Sequence, residues 1–327
     1  MQIAELSVLL VWAAATALTI ALVAFAIDLG RRTEARAEAH AASMTPAAVG
    51  AGGGSTPAPS TTLDAVPPAA PRRRTAGIAM STTWLGTALL LAAIVLRGLA
   101  AGRTPWANMY EFTMVGTFMA LAVFLVLNLR RDARFLGAFV TGLSVLFLVL
   151  GLNVFYIAAT GVQPALQNYW LVIHVGVAIS ATGIFTVAFV TSVLQLLRDS
   201  RDSGAPYLQR PGFRWLDRLP TTASLEGLSF RLNAVAFVLW TFTIIGGAIW
   251  AEHAWGRYWG WDPKEVWSFV VWVVYAAYLH ARTTRGWDGR RAAWFVVVGY
   301  ACVLFNFTGV NLVFNGKHSY SGLTTGS

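Results

Sequence analysis

Long apolar runs separated by short charged stretches set the pattern of this chain of 327 residues. Eight such runs stand out, at approximately 6–29, 78–99, 109–129, 135–157, 170–197, 234–251, 266–281 and 292–314. A helix of roughly 20 residues crosses the hydrocarbon layer of a bilayer. The run 266–281 is short for this. It spans only where the bilayer thins locally, or where the tryptophans ahead of it sit in the interface. The predicted fold class is therefore all-α: a polytopic integral membrane bundle of about eight transmembrane helices. The first run has no basic residue before it and is too long for the apolar core of a signal peptide, so 1–29 reads as a retained span.

Polar breaks divide the chain further. The stretch AASMTPAAVGAGGGSTPAPSTTLDAVPPAAPRRR is rich in Ala, Pro, Gly and Ser and has no apolar periodicity, so 30–77 reads as a disordered linker. The rest, 78–327, reads as one transmembrane core. A second polar segment, 198–232, is expected to be partly ordered around Phe213, Trp215 and Leu216.

Composition supports a membrane class. Hydrophobic residues make up 56% and charged residues only 12%, against about 25% charged in soluble domains. The net charge of +9 would suggest nucleic acid in a soluble protein. Here it has a topological reading, because cytoplasmic loops collect Lys and Arg. With the N-terminus outside, the inner loops hold 19 of the 24 basic residues, leaving Arg97, Arg103, Arg257, Lys264 and Lys317 outside. Both termini are then extracytoplasmic, and no nucleic-acid partner is expected. The single cysteine, Cys302, excludes a disulfide framework, a paired-thiol site and a Cys-x-x-Cys-His attachment motif in this chain.

The candidate chemistry gathers on the outer side. His174 opens the fifth run, His253 follows the sixth and His318 follows the eighth, while His280 lies near the inner end of the seventh. His40 falls in the linker. Between His253 and the seventh run lies WGRYWGWDPKE at 255–265. Imidazole ligates iron, copper, zinc and nickel, and aromatic rings stack on extended π-systems. A bare metal ion would account for the histidines and not for the tryptophans. Haem would account for both, with outer cations Arg257, Lys264 and Arg103 for its propionates.

The alternatives are plainer. Trp12, Trp84, Trp240, Trp272 and Trp294 read as interfacial belt or packing. If 253–260 is helical, Trp255 and Trp259 share a face, and Pro263 ends that helix. Asp262 and Glu265 can orient a Trp N–H or meet a partner. His280 is either a polar cap or a functional group at membrane depth, and Glu111 and Arg97 lie near span ends.

The run WGRYWGWDPKEVWS resembles the tryptophan-rich WWD signature of haem-handling membrane proteins. It is most similar to the CcsA/ResC type (CcsB in actinobacteria) of system II cytochrome c biogenesis. The similarity continues through AWGRYWGWDPKEVWSFVVWVVYAAYLHAR, WLVIHVGVAIS, GKHSYSG and TPWANMYEF, and covers most of the chain from about residue 78. The resemblance implies that His174 and His318 ligate the iron of haem b, held non-covalently as substrate. With Asp262, they would be the residues on which the chemistry turns. It places Trp255, Gly256, Trp259, Trp261, Asp262 and Glu265 on a haem-holding loop within 253–267, and His280 at a transit site for haem from the inner side. His253 departs from the family, which commonly has Asn there, and is a possible alternative ligand.

The implied function is a subunit of a cytochrome c synthase in a bacterial plasma membrane. It would work with a ResB-type partner and a thiol-reducing protein, and present haem to Cys-x-x-Cys-His of apocytochrome c. Any haem-lyase activity would belong to the complex. One alternative is a haem exporter or chaperone without thioether chemistry. Another is a solute transporter or b-type electron carrier. Few mid-membrane charges and one histidine at membrane depth argue against that last pair.

Overall fold

The computed structural model describes residues 2–43, 74–159, 168–314 and 316–318 (31–43 by backbone alone). Every described regular element is a helix. In order these are α1 (Ile3–Ser43), α2 (Arg74–Ala101), α3 (Met109–Arg130), α4 (Gly137–Asn153), α5 (Tyr169–Asp202), α6 (Thr222–Trp255), α7 (Pro263–Thr284), α8 (Gly289–Leu304) and α9 (Val310–Val313). A π-helical turn, Phe305–Gly309, joins α8 to α9.

Seven segments are long and apolar enough to cross a membrane: Ile3–Gly30, Arg74–Ala101, Met109–Arg130, Arg134–Asn153, Tyr169–Asp202, Thr222–Trp255 and Gly289–Val313. The short seventh run proves longer than its apolar stretch. The Asp262 side chain caps α7 and Pro263 occupies its first turn, giving 22 residues, or about 33 Å. Charged and polar ends at Lys264, Glu265, His280 and Arg282 keep α7 out of the apolar set. The expected linker is also narrower. Helix α1 continues to Ser43 and α2 starts at Arg74, while 44–73 lies outside the described residues. The 198–232 segment is ordered by two 3-10 turns, Pro206–Gln209 and Pro211–Arg218, which bury Leu208 and Leu216.

Two cores meet at α5. One joins α1 to α4 with part of α5, around Leu18, Leu90, Leu121, Phe124 and Ile179. The other joins α5 to α8 around Phe185, Trp240, Tyr275 and Tyr300. Helices α3 and α5 cross closely at Gly183, where a Cβ would fall 2.7 Å from Met119 Cβ. Large apolar side chains such as Leu9, Ile20, Val95, Val126, Phe242 and Val298 face outward, as lipid-facing surfaces do.

Glu111 and Arg97 are not at a solvated margin. Both are fully buried, with Arg97 Nε 2.9 Å from Glu111 Oε1. Arg103 Nη1 adds a contact of 2.7 Å to Oε2, and the Ala107 N–H donates to the same oxygen. Arg97 also donates to Ile157 O, and its guanidinium lies over the Tyr110 ring. Two cations on one desolvated carboxylate fix the loop between α2 and α3, which forms one wall of the site below.

Candidate functional site

The cavity that holds the site opens where α5 begins, α6 ends and α7 begins. It encloses about 1250 Å³ of empty space, its open mouth included. Its walls include Trp106 and Phe112 from the α2–α3 region, His174 from α5, Trp240 and Trp250 from α6, Trp259 and Lys264 near α7, and Phe307 and His318 beyond α8.

His174 sits on the first turns of α5, whose start is set by the Asn168 side chain accepting from the Trp170 N–H. Its Nδ1 lies 2.8 Å from Thr243 O on α6. A carbonyl only accepts, so Nδ1 carries the proton and Nε2 keeps its lone pair. The ring can come this close because α6 carries two glycines opposite it. A Cβ on Gly247 would fall 2.7 Å from His174 Cε1, whereas one on Gly246 would meet His174 Cβ at an ordinary 3.6 Å.

His318 is held in the same way by a carboxylate. Its Nδ1 is 2.7 Å from Asp262 Oδ2, again leaving Nε2 as the free nitrogen. Asp262 has three further tasks. It caps α7 through the Lys264 N–H, closes a capping box with Glu265, and accepts the Lys317 N–H at Oδ1. Burial works against its charge. The His318 hydrogen bond, backed by the Lys317 and Lys264 N–H groups, nevertheless holds the carboxyl below the usual carboxylate range. Glu265 Oε2 accepts from the Gly260 and Asp262 N–H groups and so shapes the loop.

One indole neighbours both imidazoles. Trp250 is fully buried, nearly parallel to His174 at 6° with centroids 6.2 Å apart, and 5.5 Å from His318. Trp255 packs edge-on to His318 at 4.9 Å. Two imidazoles with Nδ1 tied to acceptors, on one aromatic cavity, could hold a metal carried in a flat ring. Among the described residues, no cluster of three or more His, Cys, Asp or Glu side chains offers itself to a bare ion.

The structure sorts the expected site residues. His174, His318, Trp259 and Glu265 line the cavity, and Asp262 and Trp255 stand behind His318. Gly256 ends α6 in the left-handed conformation, with φ of 69°. Helix therefore stops at Trp255, and Trp255 and Trp259 share no helical face. Asp262 and Glu265 hold His318 and backbone N–H groups in place of the expected Trp N–H. Trp261 is 77% exposed and takes φ of 59°, pointing away. His253 does not reach the cavity. It is half-exposed, and its Nδ1 binds Ile249 O on its own helix. His280 is exposed near the other end of α7, about 27 Å along the axis from Asp262.

Trp240 is no belt residue. It is buried, lines the cavity, and donates from Nε1 to Ser268 O. Trp250, Thr243 and Gly247 are cavity-lining positions that sequence reasoning missed. The paired glycines in IGGAIW are the one signal that marks a close approach there.

Over most of its length the chain is similar to known proteins. The model of the cytochrome C assembly protein family matches residues 106–318, a stretch that begins at the first cavity-lining residue, Trp106, and ends at the last, His318. The cytochrome c biogenesis protein CcsA of Parasynechococcus marenigrum is 34% identical over 263 residues, covering 75% of this chain and 86% of that protein. CcsA of Chlamydomonas reinhardtii is 34% identical over 239 residues, covering 71% of this chain and 65% of that protein. Among solved structures, cytochrome c heme lyase CcmF aligns with a TM-score of 0.60 at 16% identity. That alignment covers 98% of this chain and 49% of CcmF, so this chain spans about half of it, and the likeness concerns the fold. With the family match over most of its length and these apolar helices, this chain belongs to the cytochrome c assembly protein family, as a multi-pass membrane protein with a role in cytochrome c maturation.

Proposed function

We propose that the cavity binds haem as substrate through His174 Nε2 and His318 Nε2, and presents it on the extracytoplasmic face of a bacterial plasma membrane to apocytochrome c. One observation carries the reading. Each imidazole has Nδ1 tied to an acceptor, Thr243 O or Asp262, and both rings face a single aromatic cavity. The arginine bias of the loops supports an outward mouth.

In this reading the imidazoles fix the iron. Trp250, Trp259, Trp106 and Phe307 confine the ring and exclude water, and Asp262 keeps His318 in the ligating tautomer. Two client thiols of Cys-x-x-Cys-His add across the two vinyl groups. Each forms a C–S bond and leaves its hydrogen on the neighbouring carbon, with no net oxidation. The protein supplies position. No residue of the cavity is required as a general base. A ResB-type partner and a thiol-reducing protein complete the unit, and His280 serves haem in transit from the inner side.

The test is an absorption spectrum of the detergent-purified chain, co-expressed with a ResB-type partner, before and after dithionite. A sharp reduced α-band with near-stoichiometric haem is expected. No Soret band under ample haem supply would overturn the reading. Covalent maturation of a co-expressed apocytochrome by this pair alone separates synthase from exporter.

A further inference from the structure

The cavity walls are mostly aromatic and aliphatic, with one cationic side chain among them. Of the described lining residues, Lys264 is the sole Lys or Arg. The other outer cations stand elsewhere. Arg103 lies on Glu111, at 2.7 and 3.1 Å, and Lys317 Nζ lies 5.4 Å from the Trp255 ring centroid. Arg257 is exposed on the loop.

Lys264 is held in place from behind. Its Nζ donates to Asn306 O at 2.6 Å. Asn306 belongs to the π-helical turn between α8 and α9, where the widened backbone interrupts the regular ladder. An ammonium carries three donors, and this contact uses one. The neighbouring carboxylates are engaged by other groups: Glu265 by the Gly260 and Asp262 N–H groups, Asp262 by His318 and two N–H groups. Beside the ammonium, Asn306 is buried with no partner for Oδ1. A carboxylate carried into such a desolvated wall needs a charged donor, and a charge-assisted hydrogen bond is strong there.

We propose that Lys264 recognises a carboxylate of the cavity's ligand, selecting a porphyrin with free acid side chains over its neutral ester. The inference rests on the haem reading above and adds a specificity-determining residue to it. The π-turn is the device that aims the ammonium, because Asn306 O fixes one of its three directions.

The test titrates haem and haem dimethyl ester into the chain, purified with its partner from cells limited for haem synthesis, and follows the Soret band. Wild type should prefer the free acid by about tenfold or more, the worth of a hydrogen bond to a charged group. Lys264→Met should bind both ligands with the weaker, ester-like affinity, while Lys264→Arg should keep most of the preference. Undiminished preference in Lys264→Met overturns the proposal. Should Lys264→Met fail to accumulate, equal wild-type affinity for acid and ester overturns it equally. Binding of neither ligand by wild type would instead remove the haem reading itself.

Discussion

Gly247→Ala separates the fold from the site. Alanine in a helix interior ordinarily stabilises by about 0.5–1 kcal/mol relative to glycine. Here the added Cβ would fall 2.7 Å from His174 Cε1 and 3.0 Å from Nδ1. The ring must retreat to the 3.4 Å of an ordinary contact, a shift of about 0.7 Å. It is anchored by Nδ1 to Thr243 O on the same face of α6, so the retreat stretches that bond, worth about 1 kcal/mol. Gain and loss nearly cancel in stability. They do not cancel at the site, where positioning groups must hold to within about 0.5 Å and a misplacement of about 1 Å lowers rates about a hundredfold. Gly247→Ala should therefore reach the membrane and melt within about 1 kcal/mol of wild type, yet lose tenfold or more in cytochrome maturation, with an altered haem spectrum. Gly246→Ala is the control, because its Cβ meets His174 Cβ at 3.6 Å. Full maturation and an unchanged spectrum in Gly247→Ala would refute the claim that α6 sets the His174 ring.

Three further outcomes are expected. Asp262→Asn keeps a good helix cap but removes the carboxylate behind His318, so membrane insertion should persist while haem retention or maturation falls about 10–100-fold. His174→Ala and His318→Ala should each lose haem and regain part of it with added imidazole, whereas His253→Ala should mature cytochrome c normally; the reverse pattern in a spectral titration would exchange the ligands. Glu111→Gln leaves Arg97 buried beside a neutral partner and should destabilise by about 3–5 kcal/mol, seen as a lowered melting temperature of the detergent-solubilised chain.

Much of the fold is legible in the chain because membrane helices announce themselves by length and apolarity. Helix α7 is the exception. Its ends carry Lys264, Glu265 and Arg282, and its true start depends on a cap at Asp262 that hydropathy does not register. The residue types of the site are legible too, since few polar groups interrupt the spans. Their partners are not. Asp262 and His318 stand 56 positions apart, and Thr243 offers a backbone carbonyl that any residue could have supplied. Trp240 and Trp250 look alike in sequence to Trp12 and Trp294. Only packing puts the first pair inside and the second pair at the surface. The Arg97–Glu111–Arg103 cluster is hidden for a similar reason. A charge near a span end reads as solvated until the loop folds over it.

The tie between Asp262 and residues 317–318 has a consequence for assembly in time. Every described helix precedes that short segment, and Asp262 receives it, with Trp250 and Trp255 against the His318 ring. A nascent chain can therefore complete its bundle, with His174 already set against α6, while the opposite imidazole is still missing. The cavity stays one-sided until the last contact is made. A nick just ahead of Gly316 would leave an intact scaffold that no longer closes its grip. Quality control that senses only folding would pass such a chain, and one that senses occupancy of the cavity would not.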